Sequence, residues 1–219
     1  MAAGLRYKFH GSEVQVLTGF DTTSSNGIEG ISKATEAVVT SAGHGLAVGD
    51  VVYISDVVGM TEINDRVYIV GAVDATTFTL EGTDSTGYGT YTSGGEYDEG
   101  EFSNMCELTN YSRTGGTSPE IPATSLCSVA QEYEIGLPDY GTTTLSFNFA
   151  PRTTIQTALH TFYLSGDVMA VKIILPGVGG TLTQLGFLQQ ETETAGVGGL
   201  WAATATIRNT GNRFDQVTA

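Results

Sequence analysis

Short alternations of apolar and polar residues recur along this chain, separated by clusters of Gly, Thr, Ser and Asp. That texture predicts a mostly β protein. "EAVVT" (36–40), "DVVYIS" (50–55), "RVYIVG" (66–71) and "TTFTLE" (76–81) read as short strands with turn residues between them. They lie within 33–95, which closes on the run "GTDSTGYGTYTSGG". About 60 residues with four or five strands suffice for a small barrel of its own. "EYDEGEF" then places Glu96, Asp98, Glu99 and Glu101 close together and reads as a solvated connector.

"NMCELTNY" predicts a strand, and "SRTGGTSPEIPATS" a loop or extended arm. Loops of that length inside a compact domain are often functional. In "TTTLSFNFA" (142–150), Leu145, Phe147 and Phe149 alternate with Thr144, Ser146 and Asn148, as in a half-buried strand. The period then changes. Over 151–167, Ile155, Ala158, Leu159 and Phe162 form one helical stripe, with Pro151 at the start and Gly166 at the stop. "DVMAVKIIL" (167–175), "TLTQLGFLQQETET" (181–194) and "LWAATATIRN" (200–209) complete a three-stranded antiparallel meander. Trp201, Ala203, Ala205 and Ile207 share one face of its last strand, and the other faces of the strands are polar.

Charge narrows the partners. Nine Lys and Arg against 24 Asp and Glu give a net charge of −15. That balance opposes a surface that grips phosphates, and it suits one that nucleic acid passes without sticking. No stretch reaches the roughly 18 apolar residues of a membrane helix, so no membrane contact is expected. "MAAGLRYKFHGSEVQ" has basic residues but no apolar run behind them, so no signal peptide is expected. Cytoplasmic synthesis would leave Cys106 and Cys127 as reduced thiols.

Candidate chemistry is sparse. His10, His44 and His160 fall in separate elements without metal-ligand spacing. Gly43-His44-Gly45 reads as a turn with positive φ at glycine, and His44 as replaceable by Asn, which tolerates that conformation. "PGVGG" lacks the lysine of a phosphate loop and reads as a hairpin turn. Glu132/Glu134 and Glu191/Glu193 have the spacing that puts two carboxylates on one strand face. A solvated face explains such pairs as well as acid–base work does, and no nucleophile motif accompanies them. No enzyme, cofactor or metal is expected.

The segment "CELTNYSRTGGTSPEIPATSLCSVAQEYEIGLPDYGTTTLSFNFAP", the helix after it, and "MAVKIILPGVGGTLTQLGFLQQETETAGVGGLWAATATIRNTG" resemble major tail tube proteins of phages with long non-contractile tails. The likeness covers about 1–32 and 96–219: a strand at 105–109, an arm ending in "EIPATSL", "EIGLPDYGTTTLSFNF", one helix and three closing strands. It implies a β-sandwich or barrel with a flanking helix, and homo-hexameric rings stacked around a channel, negatively charged on this acidic chain, that carries DNA from capsid to host. It also implies contacts with tape-measure, tail-terminator and tail-tip proteins, a place in the virion tail, and assembly in the host bacterial cytoplasm. On this reading Glu132, Glu134, Glu191 and Glu193 are candidates for the channel wall by strand parity. An outward or interface position is the open alternative. Tyr111, Arg113, Glu120, Ile121, Leu126, Arg213 and Phe214 are candidates for bridges between subunits and rings. The arm (111–128) and the tail (211–219) look too polar to order before assembly.

A second resemblance covers 37–95. This segment, which opens on "AVVTSAGHGLAVGDVVYISDV" and closes on "TSGG", looks like the small β-barrel of the first catalytic-cysteine half-domain of ubiquitin-activating enzymes, a module that recurs in phage structural proteins. It has no cysteine, so cysteine chemistry does not carry over. The expected division is a discontinuous tube domain (1–32 and 96–219) carrying an inserted barrel (33–95) on the outside of the tube. Two other functions remain open. One is a host-surface or glycan-binding adhesin. The other is a glycan hydrolase using Glu191 or Glu193.

Overall fold

The structure is a computed structural model that describes residues 6–216. The expectations placed on 1–5, at the start of the chain and of the tube region, and on 217–219 of the tail lie outside the described residues. In chain order the elements are β1 (Glu13–Gly27), β2 (Gly30–Ile31), β3 (Ala37–Thr40), β4 (Val51–Val58), β5 (Arg66–Val73), β6 (Thr77–Leu80) and β7 (Ser93–Asn104). Next come β8 (Leu108–Thr114), β9 (Glu120–Pro122), β10 (Tyr133–Ile135), β11 (Thr142–Asn148), α1 (Thr154–Ser165), β12 (Val168–Ile174), β13 (Thr181–Thr194), β14 (Ala202–Asn209) and β15 (Phe214–Gln216). The expected class, mainly β with one flanking α-helix, holds for the described residues.

One antiparallel sheet runs through nearly all of it, in the order β2-β3-β6-β5-β4-β7-β1-β12-β13-β14-β11-β8. β15 pairs with the start of β13, and β9 and β10 form a separate two-stranded hairpin. The spine is the long ribbon of β1 and β7, paired from Gln15↔Asn104 to Gly27↔Glu96. The acidic run 96–102 is therefore strand, not connector: Tyr97 is fully buried between acids that point outward. The strand expected at 105–109 starts later, because Met105, Cys106 and Glu107 make the turn into β8.

Two apolar clusters fill the molecule. The first joins Val14, Val16 and Leu17 of β1 to Leu145 and Phe147 of β11, Met169 and Val171 of β12, and Ala205 and Ile207 of β14. The stripe Ile155, Ala158, Leu159 and Phe162 of α1 covers it. α1 starts at Thr154 rather than Pro151, because Thr153 is the N-cap and accepts from the Gln156 N–H. The side chain of Gln156 anchors the helix start, accepting from the Ala150 N–H (2.7 Å) and donating to the Asn148 carbonyl (2.9 Å). Gly166 closes the helix at φ 74°.

The second cluster contains Val39, Val52, Ile54, Met60, Ile63, Val70, Phe78 and Leu80, and it draws in Ile28, Ile31 and Tyr97. Residues cross the other way too, since Val51 of β4 and Ile69 of β5 belong to the first cluster. At this junction the Lys172 ammonium meets Asp50 Oδ1 at 3.2 Å and lies 4.3 Å from the Phe102 ring centre. The two cores thus share a seam of apolar packing and one largely buried cation.

Candidate interaction surfaces

The three histidines are far from forming a catalytic unit. The Leu46 N–H donates to His44 Nδ1 (3.1 Å), so Nδ1 carries no proton, and Nε2–H donates to the Asp74 carbonyl (2.7 Å). Gly43 and Gly45 supply the left-handed φ of the turn (70° and 67°), while His44 does not. His44 is a clamp between two loops. His160 Nδ1 lies 3.1 Å from Glu191 Oε2. Among the described residues no group of three or more His, Cys, Asp and Glu is placed to hold a metal. Cys106 and Cys127 are free and exposed.

The arm between β8 and β11 is built from a pinched neck. A Cβ on Gly116 would strike the Asp139 carbonyl, and one on Gly141 (φ 78°) would strike the Thr114 carbonyl, so glycine lets the two backbones touch. Beyond the neck, β9 and β10 pair Glu120↔Ile135, Ile121↔Glu134 and Pro122↔Tyr133. The tip of the arm is a two-stranded hairpin. Ile121, Leu126, Val129, Tyr133, Ile135 and Leu137 are all exposed. Glu120 and Glu134 flank them in the hairpin. The Glu132 carboxylate accepts from the Ser128 hydroxyl (3.0 Å) and braces the tip. Glu132 and Glu134 therefore belong to the arm.

Strand parity is broken at β13. The register slips between Leu188↔Ile207 and Gln190↔Thr206, leaving Gln189 as a bulge residue. Past it, Glu191 pairs with Ala205 and Glu193 with Ala203. Ala203 and Ala205 belong to the first core, which the helix covers, and His160 of α1 contacts Glu191. Glu191 and Glu193 therefore share the helix side of the sheet. The opposite side presents Gln190, Thr192, Thr204, Thr206, Thr144, Ser146, Asn110 and Ser112 in register across four strands. Its charged member, Arg208, is paired with Asp139 at 2.8 Å. Sequence parity alone did not separate this hydroxyl-and-amide face from the glutamates.

The structure does gather some bridge candidates. Arg213 forms a double hydrogen bond with Asp215, whose carboxyl is held below its ordinary range by that hydrogen bond and by the charges of Arg213 and Arg113. Burial pushes the Tyr111 phenol up, while the nearby Arg213 and Arg113 guanidiniums pull the other way. Phe214 packs against the first core. Ile121, Leu126 and Glu120 stand apart in the arm. A broad concavity of about 1420 Å³ lies between α1 and β5. Arg66, Arg152 and Arg213 line it beside Asp65, Glu81, Asp98 and Asp167, so no one sign of charge selects a ligand there.

Taken together, fold and surfaces define a mainly β protein with two apolar cores. Residues 31–100 match the family model of the ubiquitin-activating enzyme E1 FCCH domain, in agreement with the resemblance of 37–95. No curated protein matches the chain. Among solved structures, one described as the tail of an empty GTA particle with C6 symmetry is similar at a TM-score of 0.43 and 15% identity, covering 55% of this chain and 88% of that one.

Proposed function

We infer that the protein is a structural subunit that assembles with copies of itself, as a tail tube ring protein carrying an outside module. The observation that carries this reading is the arm. A hairpin whose apolar side chains face water, standing beside an open sheet edge, is an incomplete surface. β8 pairs with β11 alone among the described residues, so its outer edge offers unpaired backbone groups to a neighbour. Exposed apolar patches of this kind mark interfaces. A second copy can satisfy both demands, pairing its sheet with β8 and covering the arm.

The channel wall in such a ring is the Thr, Ser, Gln and Asn face. It offers duplex phosphates no unpaired cation, and the surrounding subunit is strongly acidic. Residues 33–95 form the module that stands outside, and the β1–β7 ribbon ties it to the tube body. Negative-stain microscopy of the purified protein tests the reading: rings or tubes are expected. A protein that stays monomeric at high concentration with tail-initiating components present overturns it. Six-fold symmetry and DNA passage are then read from a reconstruction of the particle.

A further inference from the structure

The seam between the two cores holds three groups that the assembly reading does not use. Lys172 of β12 meets Asp50, just before β4, with Nζ 3.2 Å from Oδ1. The two residues are 122 apart in the chain. Their side chains are only 13% and 23% exposed, so little water reaches the contact. The Phe102 ring, its centre 4.3 Å from Nζ, shields the amine on one side. Asp50 Oδ2 accepts from the Ala47 N–H at 2.8 Å, which holds the carboxyl in place and leaves Oδ1 to the lysine.

Glu99 is the third group. It pairs with Val52 across β4 and β7, and Asp50 lies two residues before Val52. The period of a strand therefore puts both carboxyls on one face. The Glu99 carboxyl is raised first by desolvation and then by the Asp50 charge, against the pull of Lys172. Such a carboxyl holds a proton at higher pH than an ordinary one and can pass it on.

We propose that Lys172 and Asp50 condense to an amide bond between their side chains, with Glu99 as the proton carrier. The lone pair of Nζ adds to Asp50 Cγ once Glu99 has taken a proton from the ammonium. The Ala47 N–H faces Oδ2, where negative charge develops. Two protons in all travel from Nζ to Oδ1 by way of Glu99. The Nζ–Cγ bond forms, the Cγ–Oδ1 bond breaks, and Oδ1 leaves as water. One ammonium and one carboxylate become one neutral amide and one water, Glu99 returns to its starting state, and the balance needs no co-reactant. Contact between the two groups supplies the effective concentration that such a condensation lacks in water, and poor access of water opposes its reversal. The freshly folded chain carries the ion pair, which is what Lys172 contributes until the bond forms. The bond then ties β12 of the first core to the start of β4, beside the second. Closing so long a loop should raise the thermal midpoint by about 10 °C.

The test is the intact mass of the denatured full chain, before and after incubation of the folded protein at neutral pH. After incubation it should weigh one water less than its sequence requires. A digest should then yield a branched peptide joining the Lys172 and Asp50 segments. Lys172→Arg keeps the charge pair but offers no amine, and Glu99→Gln keeps both partners but carries no proton. Both variants should retain the full mass of their own sequences. Wild type that keeps its full mass after incubation overturns the proposal. So does a water loss that persists in Lys172→Arg or Glu99→Gln, or one without the branched peptide. Both partners belong to one chain, so the result does not depend on whether rings form.

Discussion

Two excursions leave the same sheet and solve the burial problem differently. The segment from Ile28 to Gly95 folds back on itself and buries Phe78, Met60, Ile63 and Leu80 completely. The arm from Gly115 to Gly141 has a comparable share of large apolar residues near its tip, yet leaves Leu126 and Val129 fully exposed. The difference is one of geometry. Strands β2 to β6 close a core together with Tyr97 of β7, whereas a single short hairpin has only one layer and nothing to pack on. A segment that fills its own core needs no partner, and one that cannot do so takes its stability from whatever covers it. The residues matched by the family model, 31–100, take in Tyr97 as well as the strands that bury Phe78.

The sharpest break in the comparison exchanges what each segment should lose. Replacing Leu126, Val129 and Ile135 by Ser removes apolar groups that touch water already. Assembly should be abolished while the thermal midpoint of the subunit stays unchanged, as surface substitutions usually leave it. Phe78→Ala does the reverse. It empties the centre of the second core, where Phe78 packs edge-on between His44 and Tyr97. The expected cost is about 3–5 kcal/mol, read by urea unfolding. If the arm variant melts early, or Phe78→Ala does not, the contrast between the two excursions is wrong.

The seam between the cores gives an intermediate effect. Lys172→Met strips Asp50 of its cation and should cost about 2 kcal/mol. It should also steepen the response to pH. The Glu99 carboxyl is raised by burial first and by the Asp50 charge next, and Lys172 opposes that shift. The Asp98 carboxyl is raised by burial, Glu96 and Asp21. A carboxyl raised in the folded state contributes most below its unfolded value, near 4.5 for Glu99, and the contribution is lost as pH rises through the folded value. The thermal midpoint should therefore rise as pH falls from about 7 to about 5, more steeply in Lys172→Met. Asp215 is shifted the opposite way, so its contribution is lost only at lower pH. A flat profile over that window would remove the repulsive carboxylate seam from the account.

Much of this was legible in the sequence where periodicity is regular. The alternation of Leu145 and Phe147, the stripe from Ile155 to Phe162 and the meander of β12, β13 and β14 need only a count of apolar spacing. Three features were hidden for physical reasons. The bulge at Gln189 reverses parity within one strand, and no composition signal marks it, so the side of Glu191 and Glu193 could not be read. The run 96–102 looked like a connector because acids outnumber apolar residues, although Tyr97 alone is enough to root it in a core. The arm hairpin is held by two backbone approaches at Gly116 and Gly141, which appear in the sequence only as glycines in a polar stretch. The candidate surfaces inherit these limits. Tyr111, Arg113 and Arg213 come together through the pairing of β15 with β13, a contact distant in sequence.

The smallest effect tests the role given to His44. The glycines carry the left-handed φ, so tolerance of that conformation is not what a replacement must supply. What matters is reach. The imidazole spans from the Leu46 N–H to the Asp74 carbonyl and ties the loop before β4 to the turn before β6. In His44→Asn the shorter side chain still accepts from Leu46 but falls short of Asp74. It also gives up the edge contact with Phe78, whose ring centre lies 5.5 Å from that of His44. One exposed hydrogen bond is worth about 1 kcal/mol, which lowers the thermal midpoint of a chain this size by about 2–4 °C. Assembly should be unaffected, because the clamp joins two loops of the second core and touches neither the arm nor the β8 edge. Loss of tubes in His44→Asn with the midpoint intact would place this turn in an interface, and the division between a closed module and an open arm would have to be redrawn there.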